Sequence, residues 1–301
     1  MGLKKSKQVH YRFYGASDKG RKRENNEDSF VTNKKFGFFA VADGMGGHAK
    51  GEVASRMATE ISENIVSDIF FSSESEDTFP SQEENSSDEE KIQSIVEKAN
   101  KAIYSENRIR EEKEKQAGLA PQDELSKRRA KMGTTLVCAK IVGQKMVIAN
   151  AGDSRCYLIR KNTINQLTED HSKIDEALQS GQVTQEEINS KKMRNYITSA
   201  LGTHCDFDLN IVTSLLKKGD IYVLCSDGLT NMLNDEKIFH TVHSQKDIKK
   251  ACHDLIRLAN EFGGLDNITV VLIEITGVET VTHGKESGGK HVKHLSEDTM
   301  Q

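Results

Sequence analysis

Residues 134–142, 145–151 and 155–160 form three apolar, strand-like runs with scarcely a turn between them. They are bounded by short links such as Gly143-Gln144 and Lys161-Asn162. Such links can reverse a strand beside its neighbour, but they cannot make the long crossover that parallel pairing requires. The chain is therefore committed to antiparallel sheet. Residues 36–42 (FGFFAVA) form a continuous apolar run, the pattern of a strand buried on both faces. Residues 9–17 alternate in character, and 221–225 and 267–276 are further strand-like runs. Helices fall in the longer excursions. Residues 52–70 place Val53, Met57, Ile61, Ile65 and Ile69 at i+4 steps, and 91–107 and 246–262 show similar spacing. Shorter helices are expected near 171–180 and 184–191. The reading is α+β, with helices covering sheets.

The rest of the chain bounds the environment. No apolar run approaches the roughly 20 residues of a membrane span, and the basic start MGLKKSKQVH has no apolar stretch behind it. Cys138, Cys156, Cys205, Cys225 and Cys252 are odd in number and widely spaced, which argues against a disulfide scaffold or a zinc ribbon and for a reducing compartment, the cytoplasm. Residues 72–90 hold eight acids and no base; without them the net charge turns from −4 to +4. That mildly basic body suits an anionic ligand but carries no basic stripe interleaved with aromatics, so nucleic acid is not expected as a partner. Three segments follow: a basic extension at 1–9, one folded domain at 10–276 with a disordered acidic insertion at 72–90, and a disordered tail at 277–301.

Four segments each set a carboxylate at the edge of an apolar strand. They are RENNEDSF with Glu27 and Asp28, AVADGMGGHAKGE with Asp43, LCSDGLT with Asp227, and GGLDNITVV with Asp266. One such Asp alone reads as a turn former or helix cap. Four converging make a hard oxygen site suited to Mg²⁺ or Mn²⁺, and the cation offsets the cost of gathering like charges. Glycine after Asp43 lets the Gly44 carbonyl approach as a ligand. Two such ions roughly 3.5–4 Å apart share a water and acidify it, which is the chemistry of phosphate-ester hydrolysis.

RENNED, VADGMGGHAKGE, MGTT (132–135), NAGDSR (150–155), TEDHS (168–172), SDGLT (226–230) and DNITVV (266–271) occur in the order and spacing of the metal-dependent type 2C serine/threonine protein phosphatases, which the chain resembles in their compact bacterial form over residues 10–276. The resemblance implies a four-layer sandwich: two antiparallel β-sheets packed face to face, with helices on both outer sides. It implies that Asp43 bridges two ions, with the Gly44 carbonyl on one and Asp227 and Asp266 on the other, while Glu27 and Asp28 act on bound waters. Arg23 matches the arginine that grips the substrate phosphate; Arg21 in the same run is its rival. His48 matches the position of the general acid for the leaving alkoxide; a turn histidine bonded to backbone is the other reading. Asp153 is then structural, paired with Arg155. Residues 168–203 resemble a flap beside the site that shapes protein-substrate choice.

The implied activity is direct hydrolysis of phosphoserine and phosphothreonine in proteins, without a phosphoenzyme, by a monomer opposing a Ser/Thr kinase. Cys138, Cys156, Cys225 and Cys252 sit in apolar runs, which disfavours a cysteine nucleophile. One departure concerns a third ion: the approach KRRAKMGTT offers no carboxylate at Arg129, Ala130 or Lys131, which puts that ion in doubt. Rival readings are a catalytically weak scaffold of the same fold, a phosphatase of a transcription-factor regulator, and a two-metal phosphodiesterase. The intact acids, the NAGDSR and SDGLT matches, and the weak basic balance respectively count against them.

Overall fold

The apolar runs stay apolar throughout because their strands are covered on both sides. The computed structural model of the chain describes residues 4–45, 49–71, 86–119, 131–170 and 200–283. In one sheet the order is β1 (Lys4–Asp18), β11 (Ile268–His283), β10 (Ile221–Cys225), β7 (Arg155–Arg160) and β8 (Thr163–Gln166). In the other it is β2 (Asp28–Asn33), β3 (Phe38–Met45), β5 (Leu136–Val142), β6 (Lys145–Ala151) and β9 (Asn210–Leu215), with β4 (Gly133–Thr134) beside β3. The helices are α1 (Ala49–Phe71), α2 (Asp88–Gln116), α3 (Asp227–Thr230), α4 (Asp235–His243) and α5 (Ile248–Glu261). All the paired strands are antiparallel.

Residue-by-residue alternation sorts the side chains into three apolar layers. Phe39, Val41, Val137, Ala139 and Ile148 of one sheet meet Leu158, Tyr222, Leu224, Val271 and Ile273 of the other in the middle of the sandwich. Their neighbours Phe38, Ala40, Ala42 and Val147 point outward onto Ala54, Ala58 and Val66 of α1 and Ile92, Ile95 and Ile103 of α2. Tyr157, Val223, Val270 and Leu272 point outward onto Ile238 of α4 and Cys252, Leu255 and Ala259 of α5. The result is the expected α+β four-layer sandwich, helix on sheet on sheet on helix. Among the described residues no helix is long and apolar enough to cross a membrane.

Four sequence boundaries are corrected. The strand expected to end at 276 runs on to His283, and β1 begins at Lys4 rather than at 9–10. Val9 stands opposite Val278, and the two ends zip together through Lys4↔His283. The apolar signal is thin there, and it is the backbone ladder that carries the strands on. The acidic insertion ends earlier than 90: Ser87 caps α2 in a capping box with Glu90, and Asp88, Glu89 and Glu90 occupy its positive first turn. The second helix also continues past 107, to Gln116. Residues 72–85, the helices expected at 171–191 and most of the flap lie outside the described residues.

Candidate active site

Both sheets deliver their acids to one end of the sandwich. Asp28 opens β2 directly opposite Asp43 on β3. Asp227 follows the end of β10, and Asp266 precedes the start of β11. Asp28 ties the sheets together, because its Oδ2 accepts hydrogen bonds from Ser226 Oγ and Thr269 Oγ1, each at 2.7 Å. Ser226 occupies the N-cap position of α3 yet makes no side-chain cap; its hydroxyl serves Asp28 instead.

The backbone beneath Asp43 is clamped by the MGTT stretch. Its N–H donates to Thr135 Oγ1 at 2.9 Å, while its carbonyl accepts from the Thr135 N–H and from Thr134 Oγ1, each at 2.9 Å. Ser154 in turn meets Thr135 Oγ1 at 2.7 Å. Gly44 donates its N–H to the Glu27 carbonyl at 3.1 Å. A Cβ on Gly44 would run into the Gly51 carbonyl, and one on Gly51 into Glu27 Oε2, so these two glycines let Glu27 and the Gly44 carbonyl close up.

Gathering carboxylates here is costly, and their proton affinities register it. Burial first, then the neighbouring charges of Asp227 and Asp266, push the Asp28 carboxyl up to about 7 despite its two hydroxyl donors. Burial and the charges of Asp28, Asp227, Asp153 and Asp266 push Asp43 well above the usual carboxylate range. Asp227 is raised by burial and by Asp266, and it shares a hydrogen bond with the Asp43 carboxyl. The Oδ1 atoms of Asp28, Asp153 and Asp227 are buried without a hydrogen-bond partner. Buried acceptor-only oxygens of like charge fit a hard divalent cation and no softer one. As the side chains stand, no three described His, Cys, Asp or Glu groups close to ligand spacing around one point. The carboxylates are turned onto protein donors: Asp28 onto Ser226 and Thr269, Asp227 onto Asn231 Nδ2 at 2.9 Å, and Asp266 onto Arg23.

Of the residues singled out from the sequence, Asp28, Asp43, Asp227 and Asp266 share one charge cluster, with Gly44 and Glu27 against its rim and Arg23 at its edge. His48 lies outside the described residues. Asp153 is not the partner of Arg155. That guanidinium binds Asp170, with Nη2–Oδ2 at 2.6 Å, and Tyr157 Oη at 2.9 Å. Asp153 instead stands near Asp227, raised to about 7 mainly by burial. Lys131 pairs with Glu111 of α2 at 3.6 Å.

Asn267 is a residue the sequence reading missed. Its Oδ1 accepts from the Glu27 N–H at 2.8 Å, and its Nδ2 donates to the Lys19 and Asn25 carbonyls, each at 2.9 Å, so it fastens the loop that carries Arg23 and Glu27. Its place directly after Asp266 was the available signal. Cys138, Cys225 and Cys252 are buried, and burial pushes each thiol up to about 12, far from thiolate. A groove of about 600 Å³ lined by Asn100, Tyr104, Cys205 and Phe207 contains none of the clustered acids.

The chain is similar to known proteins over most of its length. The model of the protein phosphatase 2C family matches residues 17–255. The serine/threonine phosphatase stp of Listeria innocua is 34% identical over 265 residues, covering 86% of this chain and 93% of its own length. The crystal structure of the serine/threonine phosphatase PstP/Ppp of Mycobacterium tuberculosis superposes with a TM-score of 0.69 at 31% identity, covering 89% of this chain and 99% of that one. A structure of the catalytic domain of PstP in complex with two manganese ions gives a TM-score of 0.66 at 29% identity, covering 90% of this chain and 100% of that one.

Proposed function

The chain belongs to the protein phosphatase 2C family, a protein serine/threonine phosphatase by kinship, and from that premise we propose how its own residues carry the reaction. Asp43, the Gly44 carbonyl, Asp227 and Asp266 would hold two divalent ions, Mn²⁺ or Mg²⁺, and Glu27 and Asp28 would act on the waters beside them. When bound, the ions supply Lewis acidity and a water acidified to near-neutral pKa, which serves as the nucleophile toward phosphorus. Asp153 is a further carboxylate within the field of the cluster.

The chain's contribution is orientation and charge. Ser226 and Thr269 fix Asp28 by one oxygen and leave the other bare to accept a proton from water. Thr134 and Thr135 hold Asp43 at its backbone, so its carboxylate keeps its aim under changing charge. Arg23, on the rim, presents a planar fork to two phosphate oxygens. His48 donates the proton to the departing serine or threonine alkoxide. No protein nucleophile is needed, and the buried thiols are unsuited to be one, so hydrolysis is direct. We take the enzyme to act as a monomer, in the cytoplasm, where free cysteines stay reduced. The opponent is a Ser/Thr kinase, since that transfer makes the substrate.

The observation that carries this reading is the convergence of Asp28, Asp43, Asp227 and Asp266 at one end of the sandwich, with buried oxygens left unbonded. Its test is release of inorganic phosphate from a phosphothreonine peptide with and without Mn²⁺. Wild type should require the ion, and Asp43→Asn should fall by at least ~10³-fold, the scale of losing a catalytic metal's charge stabilisation. Turnover that survives chelation, or that survives Asp43→Asn, would overturn it.

A further inference from the structure

By sequence, Arg23 and Asp266 belong to different tasks, one to the substrate phosphate and one to a metal. In the structure they hold each other. Arg23 Nη2 donates to Asp266 Oδ2 at 2.6 Å, and the other oxygen of Asp266 accepts the Asn267 N–H at 2.9 Å. Nη2 takes part in both the side-on and the end-on guanidinium fork, so a bidentate phosphate grip has to draw on the atom that Asp266 now occupies. Burial alone would lower the proton affinity of the guanidinium; the Asp266 hydrogen bond and the charges of Asp266, Asp43 and Glu27 raise it instead. One cation thus already answers the charge of the cluster at the oxygen assigned to the ion.

We propose that Arg23 is a resident counter-ion whose release couples metal loading to phosphate capture. Without a divalent ion it neutralises Asp266; when an ion takes that carboxylate, the fork is freed toward the incoming phosphate. The inference rests on the metal reading above and adds an order of events to it. Arginine and ion compete for one carboxylate, and such competition is a reciprocal coupling: whatever draws Arg23 away tightens the ion, and the ion makes Arg23 available. The pair is partly exposed, with side-chain exposures of 53% and 29%, so its strength is that of a surface ion pair. Adding its long-range effect on the other acids, the competition amounts to roughly two- to tenfold in ion affinity.

The test is Mn²⁺ binding to the full chain, followed by the electron paramagnetic resonance of the free ion at low ionic strength. Arg23→Gln should bind Mn²⁺ roughly two- to tenfold more tightly than wild type, and the gap should narrow with salt. Arg23→Lys, which keeps the charge but loses the fork, should fall between them and guards against a folding defect in the first variant. Lys22→Gln removes the same charge from an exposed neighbour and should leave the affinity near wild type. Inorganic phosphate should tighten Mn²⁺ more in wild type than in Arg23→Gln. Equal or weaker Mn²⁺ binding by Arg23→Gln overturns the proposal, as does an equal gain in Lys22→Gln. The readout is ion binding, so a protein that behaves as expected here yet hydrolyses no phosphopeptide would sink the proposed activity alone.

Discussion

Asn267 should matter to this protein out of proportion to its size. It is 4% exposed and makes three hydrogen bonds to the backbone of the loop that carries Arg23 and Glu27. Asn267→Ala removes all three and leaves the Glu27 N–H and two carbonyls to find other partners. A net hydrogen bond is worth about 1 kcal/mol, and stranding a buried partner costs about 1–3 kcal/mol. The Lys19 and Asn25 carbonyls belong to a surface loop that can rehydrate, so the low end applies to them. The sum is roughly 3–5 kcal/mol, or a melting temperature lower by roughly 6–15 °C for a chain of this size. Because the same loop positions Glu27 against Gly44, Mn²⁺ affinity should fall roughly 10- to 100-fold, the scale seen when groups that orient metal ligands are lost. Denaturant unfolding in chelator measures the first quantity and Mn²⁺ titration the second, with the exposed Asn165→Ala as the control expected to change neither. A loss under about 1 kcal/mol, or an unaltered Mn²⁺ affinity, would refute the assignment of Asn267 as the clamp of that loop.

Two more expectations follow from the cluster. Asp28 is raised by burial from 3.8 to about 7, so the metal-free folded state binds that proton more tightly than the unfolded chain does. Its stability in chelator should therefore decline as pH rises from about 4 to 7; Asp28→Asn should flatten that decline and raise the melting temperature at pH 8 while abolishing Mn²⁺-dependent turnover, and superimposable pH profiles would count against it. Gly51 sits in α1, where alanine would ordinarily stabilise by about 1 kcal/mol. Here a Cβ would collide with Glu27 Oε2 and crowd the Gly44 carbonyl, so Gly51→Ala should instead destabilise and weaken Mn²⁺, and a gain in melting temperature would contradict the cradle.

What the sequence revealed followed from how strongly each feature is written in apolar side chains. Residues 36–42 and 221–225 could be read as strands because both faces are buried and nearly every side chain is apolar. Asn210–Leu215 escaped because it lies at a sheet edge with four of its six residues only partly covered and the other two exposed, and Asp235–His243 escaped because only Ile238 and Val242 are buried. The acids were legible as a set through the turn chemistry around them. Their supports were not: Asp170 reaches Arg155 from 15 residues away, and Thr135 reaches Asp43 from 92. The resemblance implied Asp153 for Arg155, but a charge two residues away on a strand end points along a different path from one brought back by the next turn. Ser226 shows the same limit, since its position suggests a helix cap and its hydroxyl serves a carboxylate from the other sheet.

The first and last strands described, β1 and β11, lie side by side, and the reactive end of the molecule draws Asp28 from just after the former and Asp266 from just before the latter. The first sheet therefore cannot close before β11 has left the ribosome, and these long-range pairings make assembly slow relative to a helical protein of equal length. No fragment cut from either side can retain half an activity, because each half would carry half of a pocket. A version in which the end of β11 is joined to the start of β1 by a short linker and the chain is reopened at an exposed turn elsewhere should, by contrast, keep the pocket whole.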